Sequence, residues 1–277
     1  MPGAGTWRPY GRTVDGVSAV YETHLASGTA FPGAEVGIAW MDTRLLRAAL
    51  YSGSTIPGGG PYANHAPIDA SAARTLVAAF NAGFLMGNTN GGYYTDGRVV
   101  APLRLGAASA VIYKSGLITV GMWGRDVRMT RAVAAVRQNL NLLVDHGRPV
   151  PGLNPNDTVV WGYTLGNQVH VWRSGLGVTA DGAVVYVAGA DLDITELAKL
   201  LVRAGSVRAM ELDINTDAVN LATYRPASPT GIASPSDGTD LVASMFGSPA
   251  RYFYPWWSRD FFTMSARTLR GGAATTG

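Results

Sequence analysis

The chain contains no cysteine. Disulfides, thiolate nucleophiles and cysteine-ligated zinc are therefore excluded. Lysine is nearly missing as well, with only Lys114 and Lys199 present. No run of basic residues occurs and the net charge is only +3, so nucleic acid is not expected as a partner. No apolar stretch is long enough for a membrane helix, so no integral membrane segment is expected. Met1-Pro2-Gly3-Ala4-Gly5-Thr6-Trp7 has no apolar h-region, and no signal peptide is read there. Walker loops and Gly-x-Ser-x-Gly elbows are absent, and Pro57-Gly58-Gly59-Gly60-Pro61 lacks the Lys-Ser/Thr of a phosphate loop. The four histidines, His24, His65, His146 and His170, have no metal-ligand spacing, so no metal or cofactor is expected.

What is present is glycine, 35 residues of 277, with only 15% charged residues, a composition of turns and strands rather than long solvated helices. Short apolar runs over 14–51, such as Gly16–Tyr21 and Glu35–Trp40, read as strands. Arg74–Asn81 is ambiguous between a helix and a buried strand. Ala107–Tyr113 and Leu117–Met122 flank Lys114-Ser115-Gly116 and predict a hairpin. Thr130–His146 has helical spacing in Val133, Val136, Arg137, Leu140, Leu143 and Val144, with Thr130 as cap and Gly147 as stop. A second hairpin is predicted around Asp181-Gly182. Strand 183–187, a helix over 194–204 capped by Thr195, and strand 207–214 predict a right-handed βαβ unit at 183–214 with parallel strands. The expected fold class is α+β, a twisted mixed β-sheet with packed helices. No linker divides the chain, so residues 1–266 are read as one domain and 267–277 as a disordered tail.

The acids of Glu211-Leu212-Asp213-Ile214-Asn215 lie at the carboxyl end of the last of these strands. At i and i+2 they share a face, with Cα atoms roughly 7 Å apart at a rise of about 3.3 Å per residue. Ligand crevices form at such strand ends in open α/β sheets. Two carboxylates in a dry crevice cannot both ionise cheaply, which suits the acid/base division of glycosidic cleavage. Oxygen-ligated metal is a second chemistry such a pair could serve. Spacing alone leaves open a third outcome, in which the acids only pair with buried arginines.

Arginines are at hand. Arg137, in Arg137-Gln138-Asn139, falls on the apolar side of the predicted helix, where an anion should meet it. Arg173 follows Val169–Trp172 at a turn. Either could clamp a phosphate, or form an internal salt bridge to Glu211, Asp213 or Asp191. Asn81-Ala82-Gly83-Phe84 ends the run 75–80, and Gly83 permits close backbone approach there. Asn90-Gly91-Gly92-Tyr93-Tyr94 offers aromatics to a sugar face. Tyr252-Phe253-Tyr254-Pro255-Trp256-Trp257 is dense in aromatics and reads first as core filling.

The order of these segments resembles the phosphodiester glycosidase family. The family's Asn-Ala/Gly-Gly-Phe segment is matched by Asn81-Ala82-Gly83-Phe84. Its Arg-x-x-x-Gly segment is matched by Arg173-Ser174-Gly175-Leu176-Gly177, and its Thr-x-x-Glu-Leu-Ala type helix by Ile194-Thr195-Glu196-Leu197-Ala198. The family's closing Leu-Asp-Gly-Gly-Gly-Ser keeps only Leu212-Asp213 here, with Ile214 and Asn215 replacing glycines. Arg137-Gln138-Asn139-Leu140, Trp172-Arg173-Ser174 and Ala209–Asn215 together are similar to an actinobacterial branch. The resemblance implies a hydrolase acting on a cell-wall or exopolysaccharide glycan, with a sugar 1-phosphodiester as a candidate linkage. Glu211 and Asp213 are then the expected catalytic pair. Asn81, Gly83, Arg137, Asn139, Arg173 and Asn215 are the expected substrate-binding residues. The expected compartment is extracellular or cell-envelope, with the cytoplasm open, and the oligomeric state is left open. Two rivals stand beside this reading: a non-catalytic glycan-binding or envelope scaffold protein, and a metal-dependent phosphodiesterase.

Overall fold

A computed structural model of the chain describes residues 5–26, 35–89 and 91–267. Strand accounts for 42% and helix for 13%, so the chain is mostly β. The expected α+β class with packed helices is therefore corrected: three antiparallel sheets make up the fold. The first has eight strands in the order Arg8–Val14, Val17–Ala26, Glu35–Met41, Val184–Leu192, Val171–Thr179, Ser206–Glu211, Leu142–Asp145 and Arg148–Pro149. The second runs Arg98–Ala101, Tyr93–Thr95, Val133–Gln138, Ala108–Tyr113, Ile118–Met122. The third runs Gly238–Asp240, Leu221–Tyr224, Leu76–Asn81, Phe261–Ala266, Leu46–Tyr51. Both predicted hairpins form, with Ala108 opposite Met122 and Val178 opposite Val184.

The expected helix over 130–146 is instead two strands, Val133–Gln138 and Leu142–Asp145. The physical reason is burial on both faces. Val133, Ala135, Val136, Arg137 and Gln138 are all buried, so the period of two is lost and the remaining apolar spacing imitates a helix. Leu76–Asn81 resolves as a strand buried along its whole length at the middle of the third sheet.

The unit at 183–214 also needs correction. Val184–Leu192 and Ser206–Glu211 run in the same direction, but Val171–Thr179 lies between them, antiparallel to both. No parallel ladder joins the two, so a crevice at the carboxyl ends of parallel strands does not exist here. The connecting helix Ile194–Arg203 is as expected, except for its cap. Asp193 rather than Thr195 opens it, accepting the Glu196 amide at 2.7 Å while Glu196 accepts the Asp193 amide at 2.9 Å. Ile194, Leu197, Ala198 and Leu201 form its buried stripe. They cover Val185, Val187 and Ala209 on one face of the first sheet. Gly175 lets them sit close, since a Cβ there would lie 2.9 Å from Leu201 Cδ1 and 3.2 Å from the Met210 carbonyl oxygen. On the other face, Tyr186, Ala188 and Met210 join Phe80, Leu221 and Phe262 of the third sheet and Ala110 and Val120 of the second in one core. Of the expected tail, only Arg267 lies within the described residues. It donates to the carbonyls of Thr43 and Leu46 at 3.0 and 2.8 Å.

One carboxylate sits inside this architecture without a charged partner among the described residues. Glu22, on Val17–Ala26, is 1% exposed and neither of its oxygens has a well-formed hydrogen bond. Burial pushes its carboxyl up to about 8, and the Thr223 hydroxyl offsets only part of that rise. The folded protein thus keeps a proton that the unfolded chain releases near 4.5. The stabilisation is complete below that pH and is lost as pH rises through about 8. Calorimetric Tm should therefore fall between pH 5 and 8. In Glu22→Gln that part of the slope should vanish, and equal slopes in the two proteins would contradict the assignment.

Candidate active site

Strand ends from all three sheets meet at one buried polar seam, organised by Arg137-Gln138-Asn139 at the end of Val133–Gln138. Arg137 donates through Nε to Asp260 Oδ2 at 2.6 Å and through its other nitrogens to the carbonyls of Gln138 and Phe84. Gln138 accepts the Gly92 and Arg104 amides at 3.1 and 2.7 Å and donates to the Arg104 carbonyl. Asn139 donates to the carbonyls of Glu211 and Leu212 at 2.8 and 2.9 Å. Gly83 lies directly over two of these side chains: a Cβ there would be 3.1 Å from both Arg137 Cζ and Asn139 Cγ. Asn81 is engaged on every side. It donates to the Ala82 carbonyl and Ser174 Oγ, and its Oδ1 accepts Tyr186 Oη at 2.7 Å and the Asn220 amide.

The two acids of the closing motif have different surroundings. Glu211 lies on the helix-covered face of the first sheet. Its Oε1 accepts Arg173 Nη1 at 2.6 Å, with the two side chains 0% and 2% exposed. Arg173 also donates to the carbonyls of Leu192, Trp161 and Val169. This is the internal salt bridge that spacing left open. Burial raises the Glu211 carboxyl to about 7 in spite of Arg173. Beyond Glu211 the pairing is irregular, since Ser174 accepts the Leu212 amide and donates its own amide to the Asp213 carbonyl, so alternation of faces does not extend to Asp213. Asp213 Oδ1 accepts the amides of Ile214 and Asn215 at 2.8 and 2.9 Å, which turns the chain, and Oδ2 accepts Arg259 Nη2. Burial pushes Asp213 up to about 6, opposed first by the Arg259 charge. Asn215 is exposed and caps the Asp217 amide at 2.8 Å.

Beside this turn, Ile214 and Phe84 press on Gly162. A Cβ on Gly162 would be 2.7 Å from Ile214 Cδ1 and 2.9 Å from Phe84 Cζ. Phe84 and Gly162 line a cavity of about 290 Å³ together with Leu140, Val159 and Tyr163. A cavity of about 420 Å³ shares Asn88, Thr89, Leu140 and Val159 with it and continues to Arg104. A larger cavity of about 500 Å³, lined by Arg47, Asp96 and Lys114, contains none of the motif residues. Arg259, Asp260 and Arg104 carried no sequence signal, because each is a lone charge next to an ordinary turn or strand. Sequence spacing also missed a grouping of His170, Asp193 and Glu196, whose ligand atoms lie within 4.8 Å of one another. Both acids are already engaged there, in capping the helix Ile194–Arg203.

A family model described as phosphodiester glycosidase matches residues 74–213, half of the chain, from the start of the central strand of the third sheet through Asp213. The chain belongs to the phosphodiester glycosidase family. Among solved structures, the catalytic domain of zebrafish N-acetylglucosamine-1-phosphodiester alpha-N-acetylglucosaminidase, auto-inhibited by its pro-peptide, shares the fold. It has a TM-score of 0.55 at 14% identity, covering 95% of this chain and 88% of that one. A hypothetical protein from Synechocystis aligns at TM-score 0.44 and 14% identity, over 94% of this chain and 64% of that one. A putative exported protein from Burkholderia pseudomallei aligns at TM-score 0.44 and 14% identity, over 86% and 75%. No curated protein matches the chain.

The pairing of Arg173 with Glu211 can be tested through stability. Arg173→Met strands the Glu211 carboxylate inside the fold and should destabilise by about 3–5 kcal/mol in chemical denaturation. Adding Glu211→Leu should restore most of that loss. A double variant as unstable as the single one would show that the pair is not the interaction at stake.

Proposed function

We propose that this protein hydrolyses a sugar joined through a phosphodiester, within a cell-wall or exopolysaccharide glycan. Glycosidase activity on a phosphodiester-linked sugar follows from membership of the family. The single observation that supports the finer reading is Asp213, a buried acid raised to about 6 at the turn beside the Phe84–Gly162 cavity. In this reaction water adds to the anomeric carbon and the C1–O bond breaks, releasing a phosphate monoester. That leaving group departs readily as an anion, so the chief requirement is a base for the proton of the attacking water. Asp213 fills that role, with Arg259 holding the carboxylate in place. Glu211, closed off from solvent against Arg173, fixes the strand end that carries Asp213. In this reading Asn81, Gly83, Arg137 and Asn139 shape the floor of the site, and Asn215 lies at its rim. The substrate sets the compartment as extracellular or cell-envelope.

The non-catalytic glycan-binding reading has one observation in its favour. Tyr254 and Trp256 stack at 4.6 Å with Trp256 66% exposed, a platform for a sugar face. Incubation with sugar 1-phosphodiesters and bacterial wall polysaccharides separates the two, since hydrolysis releases a reducing sugar and binding returns the glycan intact. Asp213→Asn should abolish release while thermal unfolding stays near that of the parent. A base with a pKa of about 6 must be ionised to act, so kcat/KM should fall as pH drops through 6. A fully active Asp213→Asn protein would remove Asp213 from the mechanism.

A further inference from the structure

The two cavities share Asn88, Thr89, Leu140 and Val159 and so adjoin as one groove, and Gly162 at one end of it packs against Ile214 of the Asp213 turn. Its lining is unevenly charged. Among the described residues that line either cavity there is no Asp or Glu, and Arg104 is the one cation. Arg104 sits at the far end from Ile214, exposed, with Nη1 donating to the Thr89 carbonyl at 3.2 Å and no carboxylate partner among the described residues. Its main chain is held rigidly: buried Gln138 accepts the Arg104 amide and donates to the Arg104 carbonyl. Gln138 is thus the member of the Arg137-Gln138-Asn139 triplet that faces away from Asp213 and fixes the far end of the groove. Between the two ends, Leu105 and Val159 are 82% and 92% exposed and Tyr163 is 74% exposed. Such surfaces suit the CH faces of sugar rings, whereas a lone guanidinium suits an oxyanion. The combined space falls in the range of small-molecule sites, roughly 300–1,000 Å³, and exceeds what one sugar ring needs.

We propose that the Arg104 end of this groove is an anion subsite, which holds a phosphate or carboxylate of the glycan chain at least one sugar unit away from the bond that is cleaved. The substrate class is then an anionic glycan polymer rather than a neutral one, and Arg104 is a specificity residue outside the reacting centre. The assignment rests on the hydrolase reading for its substrate, but binding can be measured without turnover.

The test uses equilibrium binding to Asp213→Asn protein, with and without Arg104→Gln. The probes are three oligosaccharides of equal length, one phosphodiester-linked, one containing uronate, one neutral. Arg104→Gln should weaken binding of a charged probe about ten-fold, the size expected for loss of one charge-assisted contact. The neutral probe should bind both proteins equally. Whichever charged probe loses affinity identifies the source of the anion. In the unsubstituted protein, affinity for that probe should fall with added salt while affinity for the neutral probe does not. Equal affinity of the two proteins for both charged probes overturns the subsite, as does an equal loss for the neutral probe. Preserved binding together with absent hydrolysis of every probe by the unsubstituted protein would instead overturn the hydrolase reading and leave the subsite standing.

Discussion

Three antiparallel sheets that meet at their strand ends create a pairing problem. Where a ladder stops inside the protein, its last amides and carbonyls lose their partners and cannot reach water, and burying them unpaired is costly. Arg137, Gln138 and Asn139 supply the missing partners. Asn139 takes the carbonyls of Glu211 and Leu212 from the first sheet, Arg137 takes the Phe84 carbonyl after the third, and Gln138 takes both main-chain groups of Arg104. The loop at Gly83, the turn at Asp213 and the segment at Arg104 are therefore held in one frame. Phe84 and Arg104, which line the two cavities, are thus both held by these side chains.

That arrangement explains what could be read in the sequence and what could not. Hairpins with a turn signal between alternating strands, such as Lys114-Ser115-Gly116, are local and were legible. The helix Ile194–Arg203 was legible because its stripe faces one side only. Val133–Gln138 was not, since burial on both faces erases the period on which the reading depends. The sheet class was missed for a related reason. A helix between two strands implies a parallel pair, and only long-range pairing reveals that Val171–Thr179 is inserted between them. Motif residues were found because they are unusual at strand ends. Arg259 and Asp260 were not, because their partners Asp213 and Arg137 are 46 and 123 residues away.

The two acids show how environment divides roles that spacing treats as equal. Glu211 and Asp213 are one residue apart from being neighbours, and burial raises both. Glu211 ends a strand and points beneath a helix, where its charged partner Arg173 is as inaccessible as itself. Asp213 is the first acid past that strand, and its side chain meets two main-chain amides and a partly exposed arginine. A raised carboxyl pKa marks burial in both cases. A reacting group needs a cavity nearby as well, and Ile214, next to Asp213 in the chain, packs against Gly162, which lines one.

The departures from the family pattern at 214 and 215 then acquire a physical meaning. Glycines after Leu-Asp would leave the turn without side chains. Ile214 instead packs against Gly162 alongside Phe84, so close that a Cβ on Gly162 would lie 2.7 Å from Ile214 Cδ1. Gly162 itself has φ +99°, a conformation that L side chains rarely adopt, and the pairing of Ile214 with a glycine opposite keeps this contact from becoming a clash. The turn after Asp213 consequently sets an aliphatic side chain against Gly162, beside the Phe84 ring, where a glycine turn would present bare main-chain amides. Amides suit the hydroxyls and phosphates of a ligand; aliphatic and aromatic side chains suit the apolar face of a sugar ring. In the proposed subsite, recognition of charge would then lie away from this turn, at the cavity that Arg104 lines.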